Sequence, residues 1–238
     1  SGYYTRIYDQ SKVISYYDDV AATFTNFAMS GIDKVHFGLE AAVSIPIYHT
    51  LALNGAVSWG QYTYDSNPYY LQTQDNSGDI VSDGYVYWKD FRVESTPQTA
   101  VNVGLSWRSN NNIYLSADFN YYNNMYLSMS PIYRTDAVIT GGMAPGDIEH
   151  LRRQEKFDSA YTLNASIGKN WYIHRKYTLG FSLDVKNILN NQDIKTGGYE
   201  QTRLSKNTET TVTTYQAFDS KYFYMFGTTY YLNLYFRF

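Results

Sequence analysis

The 238-residue chain has no cysteine. That excludes disulfide frameworks, thiolate metal sites and cysteine nucleophiles. It has no excess of basic charge: a formal net charge of −3 excludes a strongly basic nucleic-acid binder. It has no run approaching the roughly 18 consecutive apolar residues of a transmembrane helix. It has too little charge for a disordered tail, with 17% charged residues against 44% hydrophobic. What it has in quantity is aromatic surface, with 27 Tyr, 12 Phe and 4 Trp, although its mean hydropathy of −0.44 is that of a soluble protein. Aromatic enrichment suits β-sheets and membrane interfaces.

Periodicity is the main signal. Toward the C-terminus Tyr230, Leu232, Leu234, Phe236 and Phe238 alternate with Thr229, Tyr231, Asn233, Tyr235 and Arg237. One face is apolar and the other polar, the period of two that belongs to a strand. The pattern reads as one last element from Tyr224 to Phe238. The same alternation recurs at Phe37 to Ile45, Leu51 to Trp59, Val101 to Trp107, Ile113 to Tyr121, Tyr161 to Ile167 and Tyr177 to Val185, always with the apolar residues odd-numbered. With a less regular opening stretch from Tyr3 to Ile14, the template predicts about eight strands. No helical period of comparable length competes.

The connections alternate in length. Short ones lie at Pro46 to Thr50, Ser109 to Asn112 and Tyr172 to Lys176; long polar ones are expected at Asp9 to Ala22, Tyr64 to Val86, Met125 to Phe157 and Asn190 to Ala217. Short turns at one end and long loops at the other are the plan of an outer-membrane β-barrel, whose long loops are extracellular. Aromatics near strand ends (Trp59, Tyr62, Tyr64, Trp107, Trp171, Tyr172) fit interfacial girdles. A soluble β-sandwich lectin with one face of each strand in its core remains a rival.

On the barrel reading the polar face, even-numbered except in the last strand, lines a lumen. It is dominated by Ser, Asn, Thr, Gly and Ala. Eight strands closing alone would need bulky residues or dense ion pairs to fill the interior. Small polar residues suit a wide barrel meeting water or a separate plug, which disfavours a self-contained eight-stranded barrel with a structural or adhesive role. Glu40, Arg108, Asp118, Asp184, Lys186 and Arg237 are the charged exceptions, expected to pair with each other or with a plug. An open sheet in lipid would leave edge groups unpaired at several kcal/mol each, so either these strands close on themselves or others join them. The chain opens with Ser1-Gly2-Tyr3-Tyr4, as if inside a strand, with no signal peptide; the expectation is a piece of something longer.

Chemistry is sparse. His36, His49, His150 and His174 are scattered, with no metal-ligand spacing. Asp75-Asn76-Ser77-Gly78-Asp79 places oxygens at alternate positions but lacks the rest of a calcium loop. No G-x-S-x-G elbow frames any serine. Arg134, Arg152 and Arg153, around Gly141-Gly142-Met143-Ala144-Pro145-Gly146, form the most basic loop and are weak candidates for an anionic ligand or lipopolysaccharide phosphates. Tyr69 and Tyr70, in Asn67-Pro68-Tyr69-Tyr70-Leu71, are weak candidates for stacking on a sugar or aromatic ligand. No cofactor, metal or catalytic residue is expected.

Several stretches carry a family resemblance: Asn26 to Glu40, Trp59-Gly60-Gln61-Tyr62-Thr63-Tyr64, Thr96-Pro97-Gln98-Thr99-Ala100, Leu183-Asp184-Val185-Lys186-Asn187-Ile188-Leu189-Asn190-Asn191, Gly197-Gly198-Tyr199-Glu200, and Ser220 to Phe238. Together they resemble the C-terminal third of TonB-dependent outer-membrane receptors of the Bacteroidota type, across essentially residues 1–238. The resemblance implies an all-β transmembrane antiparallel barrel of about 22 strands, of which this chain supplies about the last eight, the plug domain and TonB box lying elsewhere. It implies a non-enzymatic active transporter in the cell outer membrane, importing a scarce nutrient such as a ferric siderophore or an oligomeric substrate. Its partners would be outer-membrane lipid and lipopolysaccharide, the N-terminal barrel and plug portion of the same receptor, and TonB through that portion. Tyr230, Leu232, Leu234, Phe236 and Phe238 resemble the signal read by the barrel-assembly machinery. A surface lipoprotein lid of the SusC-like kind is compatible, though nothing in the chain requires one.

Overall fold

The computed structural model describes residues 1–94, 96–141, 145–174, 176–207 and 214–238. The protein is all-β, with 64% strand and 7% helix. Its strands are β1 (Gly2–Asp18), β2 (Thr23–Tyr48), β3 (Leu51–Tyr64), β4 (Tyr69–Gln74), β5 (Ile80–Tyr85), β6 (Thr99–Arg108), β7 (Ile113–Asn123), β8 (Ala160–Ile173), β9 (Tyr177–Lys186), β10 (Lys195–Tyr199), β11 (Leu204–Asn207), β12 (Thr214–Ala217), β13 (Lys221–Tyr224) and β14 (Thr229–Arg237). Among the described residues the helices are α1 (Asp136–Ile139), α2 (Pro145–Arg152) and a 3₁₀ turn at Pro131–Arg134.

A 10-stranded antiparallel sheet carries the fold, in the order β14-β9-β8-β7-β6-β3-β2-β4-β5, with β1 on the other side of β2. The long strands β1, β2, β3, β6, β7, β8, β9 and β14 coincide with the segments that alternate in sequence. Their register joins the apolar positions into rows. One row runs Ile45–Leu53–Leu105–Ala117–Ala165–Val185–Tyr230, another Trp107–Leu115–Ile167–Leu183–Leu232. Opposite parity builds the polar face: Ser106–Ser116–Ser166–Asp184–Tyr231 lie side by side. A β-sandwich would bury these apolar positions in its core, but Leu53, Leu115 and Leu183 are not buried.

The long strands of the sheet end at β1 and β14, and the branch beside the top of β2 ends at β5. Among the described residues β14 pairs with β9 alone and β1 with β2 alone, so no ladder closes the sheet.

Among the described residues the core lies at one end. The upper part of β2 alternates buried and less buried positions, whereas residues 39–48 are exposed throughout. The parity of burial flips between the halves: Thr25, Phe27 and Met29 are buried above, Ile32 and Gly38 below. Gly31, at φ +74°, causes the flip. A glycine in the left-handed region inserts one residue out of phase, as in a bulge. The partner strand slips at the same level, around Asp9 (φ 53°) and Gln10. This explains the irregular opening strand and corrects one boundary. Asp9 to Asp18 is not a loop but the upper half of β1, whose period of two is broken by the bulge. Asp18 closes the hairpin, its Oδ1 accepting the Val20 and Ala21 N–H groups.

Tyr64 lies on the even, polar-side face of β3 and belongs to the main buried cluster with Phe27, Met29, Tyr70, Val86 and Trp88. The residues after Tyr64, Asn123 and Lys186 thus pack as a cap on the polar side, at the end opposite the short turns. β4–β5 is a hairpin within this region, lengthening the sheet beside the top of β2. The last element is also two strands rather than one. β13 stops at Tyr224 and β14 starts at Thr229.

The break is held by Asn187. Its Nδ2 donates to the carbonyls of Asn191 (2.9 Å) and Phe226 (3.0 Å), and its Oδ1 accepts the Asn191 N–H at 3.2 Å. The Thr228 hydroxyl donates to the Asn187 carbonyl at 2.9 Å. Asn187 and Asn190 both sit at φ 51°, a conformation that asparagine tolerates better than most residues.

Candidate functional site: the polar wall and its cap

The lower polar face is held by cross-strand side-chain bonds, the unit of sheet stabilisation. Ser44 Oγ donates to Asn54 Oδ1 at 2.7 Å, and Asn54 Nδ2 to Ser106 Oγ at 3.2 Å. Asn102 Nδ2 donates to Asn120 Oδ1 at 2.9 Å, and the Ser116 and Ser166 hydroxyls lie 2.8 Å apart. Tyrosines lie flat across glycines on neighbouring strands: a Cβ at Gly168 would collide with Tyr114, at Gly180 with Tyr235 and at Gly38 with Tyr3. The face is low, polar and hydrogen-bonded, with a shallow groove of about 660 Å³ over Glu40, Ala42, Ala56, Ser58, Asn102 and Asn120.

Glu40, Arg108, Asp118, Asp184, Lys186 and Arg237 take no part in the ion pairs found among the described residues, which join Arg6 to Asp65, Arg134 to Glu200, Lys195 to Glu155 and Arg203 to Asp19. Of the two partners expected for these charges, each other or a plug, the first is not found among the described residues. Strand register sets the reason: their cross-strand neighbours include Gly104 for Asp118 and Thr178 for Arg237.

In the cap, charge is concentrated around two glutamates. Arg134, with no exposed side-chain surface, faces Glu200 in a forked pair at 2.5 and 2.8 Å. Its Nη1 also donates to the Ser130 carbonyl and its Nη2 to that of Arg153. The Ser130 N–H donates to Glu200 Oε2 at 2.8 Å. Glu155 accepts from Lys195 Nζ (2.9 Å) and from the Tyr222 hydroxyl (2.6 Å), and this bond, with burial second, raises the Tyr222 pKa. Burial and the nearby Glu200 push the Tyr133 pKa up to about 12. Between these pairs opens a polar cavity of about 500 Å³, lined by His150, Gln154, Lys156, Asp219 and Ser220 among others.

The candidate ligand contacts separate sharply. Arg134 is committed to Glu200 and does not reach solvent. Arg152 and Arg153 are exposed and meet at a depression of about 400 Å³ with Phe91, Pro145, Ile148 and Glu149. Gly142, Met143 and Ala144 of that loop lie outside the described residues. Tyr70 is buried and stacks on Phe27 at 4.5 Å between centroids, whereas Tyr69 is exposed with its hydroxyl on Asp83 at 2.6 Å. Adjacent residues in a strand must face opposite ways, so one of the two was bound to be lost from a shared surface.

His36 is on the wall, with Nε2 buried and unpartnered beside the Tyr62 ring. His49 and His174 lie at the short turns and His150 on α2. Among the described residues no three His, Cys, Asp or Glu groups converge to hold a metal. Asp75 and Asp79 are engaged by Asn26 and Ser77.

Two glutamines escaped notice in the sequence. Gln98 mimics a strand neighbour: its side-chain amide accepts the Tyr62 N–H (3.2 Å) and donates to the Tyr62 carbonyl (3.1 Å). Gln154 does the same to Arg92, at 2.9 and 2.8 Å. Nothing in a single sequence marks such glutamines off from surface ones.

No family model matches the chain, and no curated protein and no solved structure matches it.

Proposed function

We propose that this chain forms part of the wall of a TonB-dependent transporter in an outer membrane, with the capped end outside the cell. The observation that carries the reading is the pair of continuous faces. An apolar row spans β2 to β14 without a protein core against it, while the opposite face is a low, hydrogen-bonded polar wall. In water the apolar face would be an exposed patch far larger than monomers carry. In lipid it is the outside of a barrel, and the polar face is the lumen. A β-sandwich lectin would bury Leu53, Leu115 and Leu183, which are unburied.

The same reading accounts for the free edges and the free wall charges. Unpaired edge groups are too costly in lipid, so β1 and β14 would each pair with further strands of a barrel of about 22. Glu40, Arg108, Asp118 and Asp184 would meet a plug. β2, at 26 residues, far exceeds the roughly 9–11 that cross a bilayer; its part above Gly31 would stand outside the membrane with the cap. The ligand would be a scarce nutrient captured at the cap and passed along the wall, and the reading assigns the chain no reaction.

The lack of cysteine makes the test clean. Single cysteines are placed at Leu105, Leu115 and Leu183, and at Ser106, Ser116 and Asp184, in the protein expressed in outer membranes. A membrane-impermeant maleimide should label the second set and not the first. Equal labelling of both sets would overturn the membrane reading. Transport is tested separately: saturable uptake of labelled ferric chelates or oligosaccharides should stop when a protonophore collapses the inner-membrane gradient, and uptake that survives it would overturn energy coupling.

A further inference from the structure

A second cavity, of about 220 Å³, lies where the β1–β2 tip meets the cap. Its walls are largely apolar: Phe27 and Tyr70 from the sheet, Ile132 and Val138 from the cap, Leu204 from β11. It is below the roughly 300 Å³ at which drug-sized pockets begin, yet larger than a cavity of about 150 Å³ that holds benzene. Space therefore admits one ring and not a fused system or a disaccharide.

One polar group breaks the apolar lining. Tyr16 lines the cavity, is 9% exposed, and its hydroxyl is buried without a well-formed hydrogen bond, although Thr25 and the Asp18 carboxylate lie nearby. A buried polar atom left without a partner is destabilising, and a ligand that supplies the partner recovers part of that. Burial raises the Tyr16 pKa, so the hydroxyl keeps its proton and can donate.

The lining also carries acidic groups. Asp18 and Asp19 are among its residues; Asp18 Oδ2 accepts Gln72 Nε2 at 2.6 Å, and Asp19 accepts Arg203 at 3.0 Å. Two carboxylates against one guanidinium leave net negative charge beside the cavity, which repels a ligand carboxylate.

We propose that this cavity binds a single aromatic ring carrying a hydroxyl, through stacking on the Phe27–Tyr70 wall and a hydrogen bond to Tyr16. The inference does not rest on the transport reading, since the cavity is formed by the cap and the sheet end whatever surrounds the rest of the sheet.

The test is ¹⁹F NMR titration of the whole protein in detergent micelles with 4-fluorophenol, 4-fluorotoluene and 4-fluorobenzoate. 4-Fluorophenol should bind saturably and about tenfold more tightly than 4-fluorotoluene, the factor expected of one net hydrogen bond, and 4-fluorobenzoate should not bind. Tyr16→Phe should erase the tenfold preference and keep the toluene affinity. Ala137→Trp and Val81→Trp, both at exposed lining positions, should each abolish binding of both neutral probes while leaving heat-modifiable migration intact. Absence of saturable binding to the unaltered protein would overturn the proposal. So would a preference for phenol that survives Tyr16→Phe, benzoate binding as tight as phenol, or binding unchanged in the folded tryptophan variants.

Discussion

At the scale of residues, a buried ion pair ties distant parts of the cap together. Arg134 and Glu200 are 66 residues apart and close the cap from opposite sides. Breaking a buried pair by removing one partner strands a charge, at about 3–5 kcal/mol, whereas replacing both by apolar groups of similar volume is often neutral. Arg134→Ala should therefore make residues 125–200 sensitive to limited proteolysis, and Arg134→Met with Glu200→Leu should restore most of the resistance. Equal sensitivity of the single and double variants would mean that packing, and not the stranded charge, matters.

Tyr133 gives the cap an alkaline limit. Its pKa is raised from 10.0 to about 12 in the folded protein. The folded state holds the proton more tightly, so the contribution to stability is full below pH 10 and drains away between pH 10 and about 12. Protease resistance of the cap should fall over that window, and more shallowly in Tyr133→Phe. An identical pH profile for the two proteins would exclude Tyr133 as the source.

At the scale of elements, the phase of alternation decides which face a strand shows. β14 offers Leu234, 70% exposed, on the proposed lipid face and Asn233 on the polar one. A basic side chain on the lipid face costs about 2–4 kcal/mol near mid-bilayer and less toward the interfaces. Leu234→Arg should lower the heat-modifiable, folded fraction in the outer membrane, and Asn233→Arg should leave it near that of the parent. Comparable yields for both would count against a lipid face on β14.

The bulge at Gly31 is a phase-shifter. Its φ of +74° costs a non-glycine residue about 1–2 kcal/mol, although a Cβ there would meet nothing within 4 Å. Gly31→Ala should thus weaken the upper hairpin modestly. Deleting Gly31 should swing Phe27 and Met29 to the outer face and dismantle the cluster around Trp88, seen as lost near-ultraviolet circular dichroism with the β signal retained. Retention of both signals would show that another residue can absorb the shift.

At the scale of the whole molecule, the open edges set the behaviour of the chain by itself. In detergent, the outward amides of β1 and β14 should exchange rapidly with solvent while those of β7 and β8, flanked on both sides, stay protected. Slow exchange at β14 in a monomer would require a ladder partner from within this chain and contradict the open sheet.

The chain's own sequence determined the sheet. Residues that alternate at a period of two, at Leu115 or Leu183 as at Leu234, can satisfy backbone and faces together only as strands, and their parity already placed the two faces. That signal is local, so it survives without knowledge of the rest of the molecule. The cap was decided by tertiary structure alone. Arg134 looked like a surface cation until Glu200 was brought to it, and Tyr70 like a ligand platform until Phe27 lay beneath it. Gln98 and Gln154 became strand mimics only when a particular backbone arrived, and Asn187 a clamp only when Phe226 did. The upper half of β1 looked like a loop because a bulge breaks its period. Each of these depends on contacts between residues far apart in the chain, and no short window of sequence records which distant group will desolvate a charge or accept a hydrogen bond.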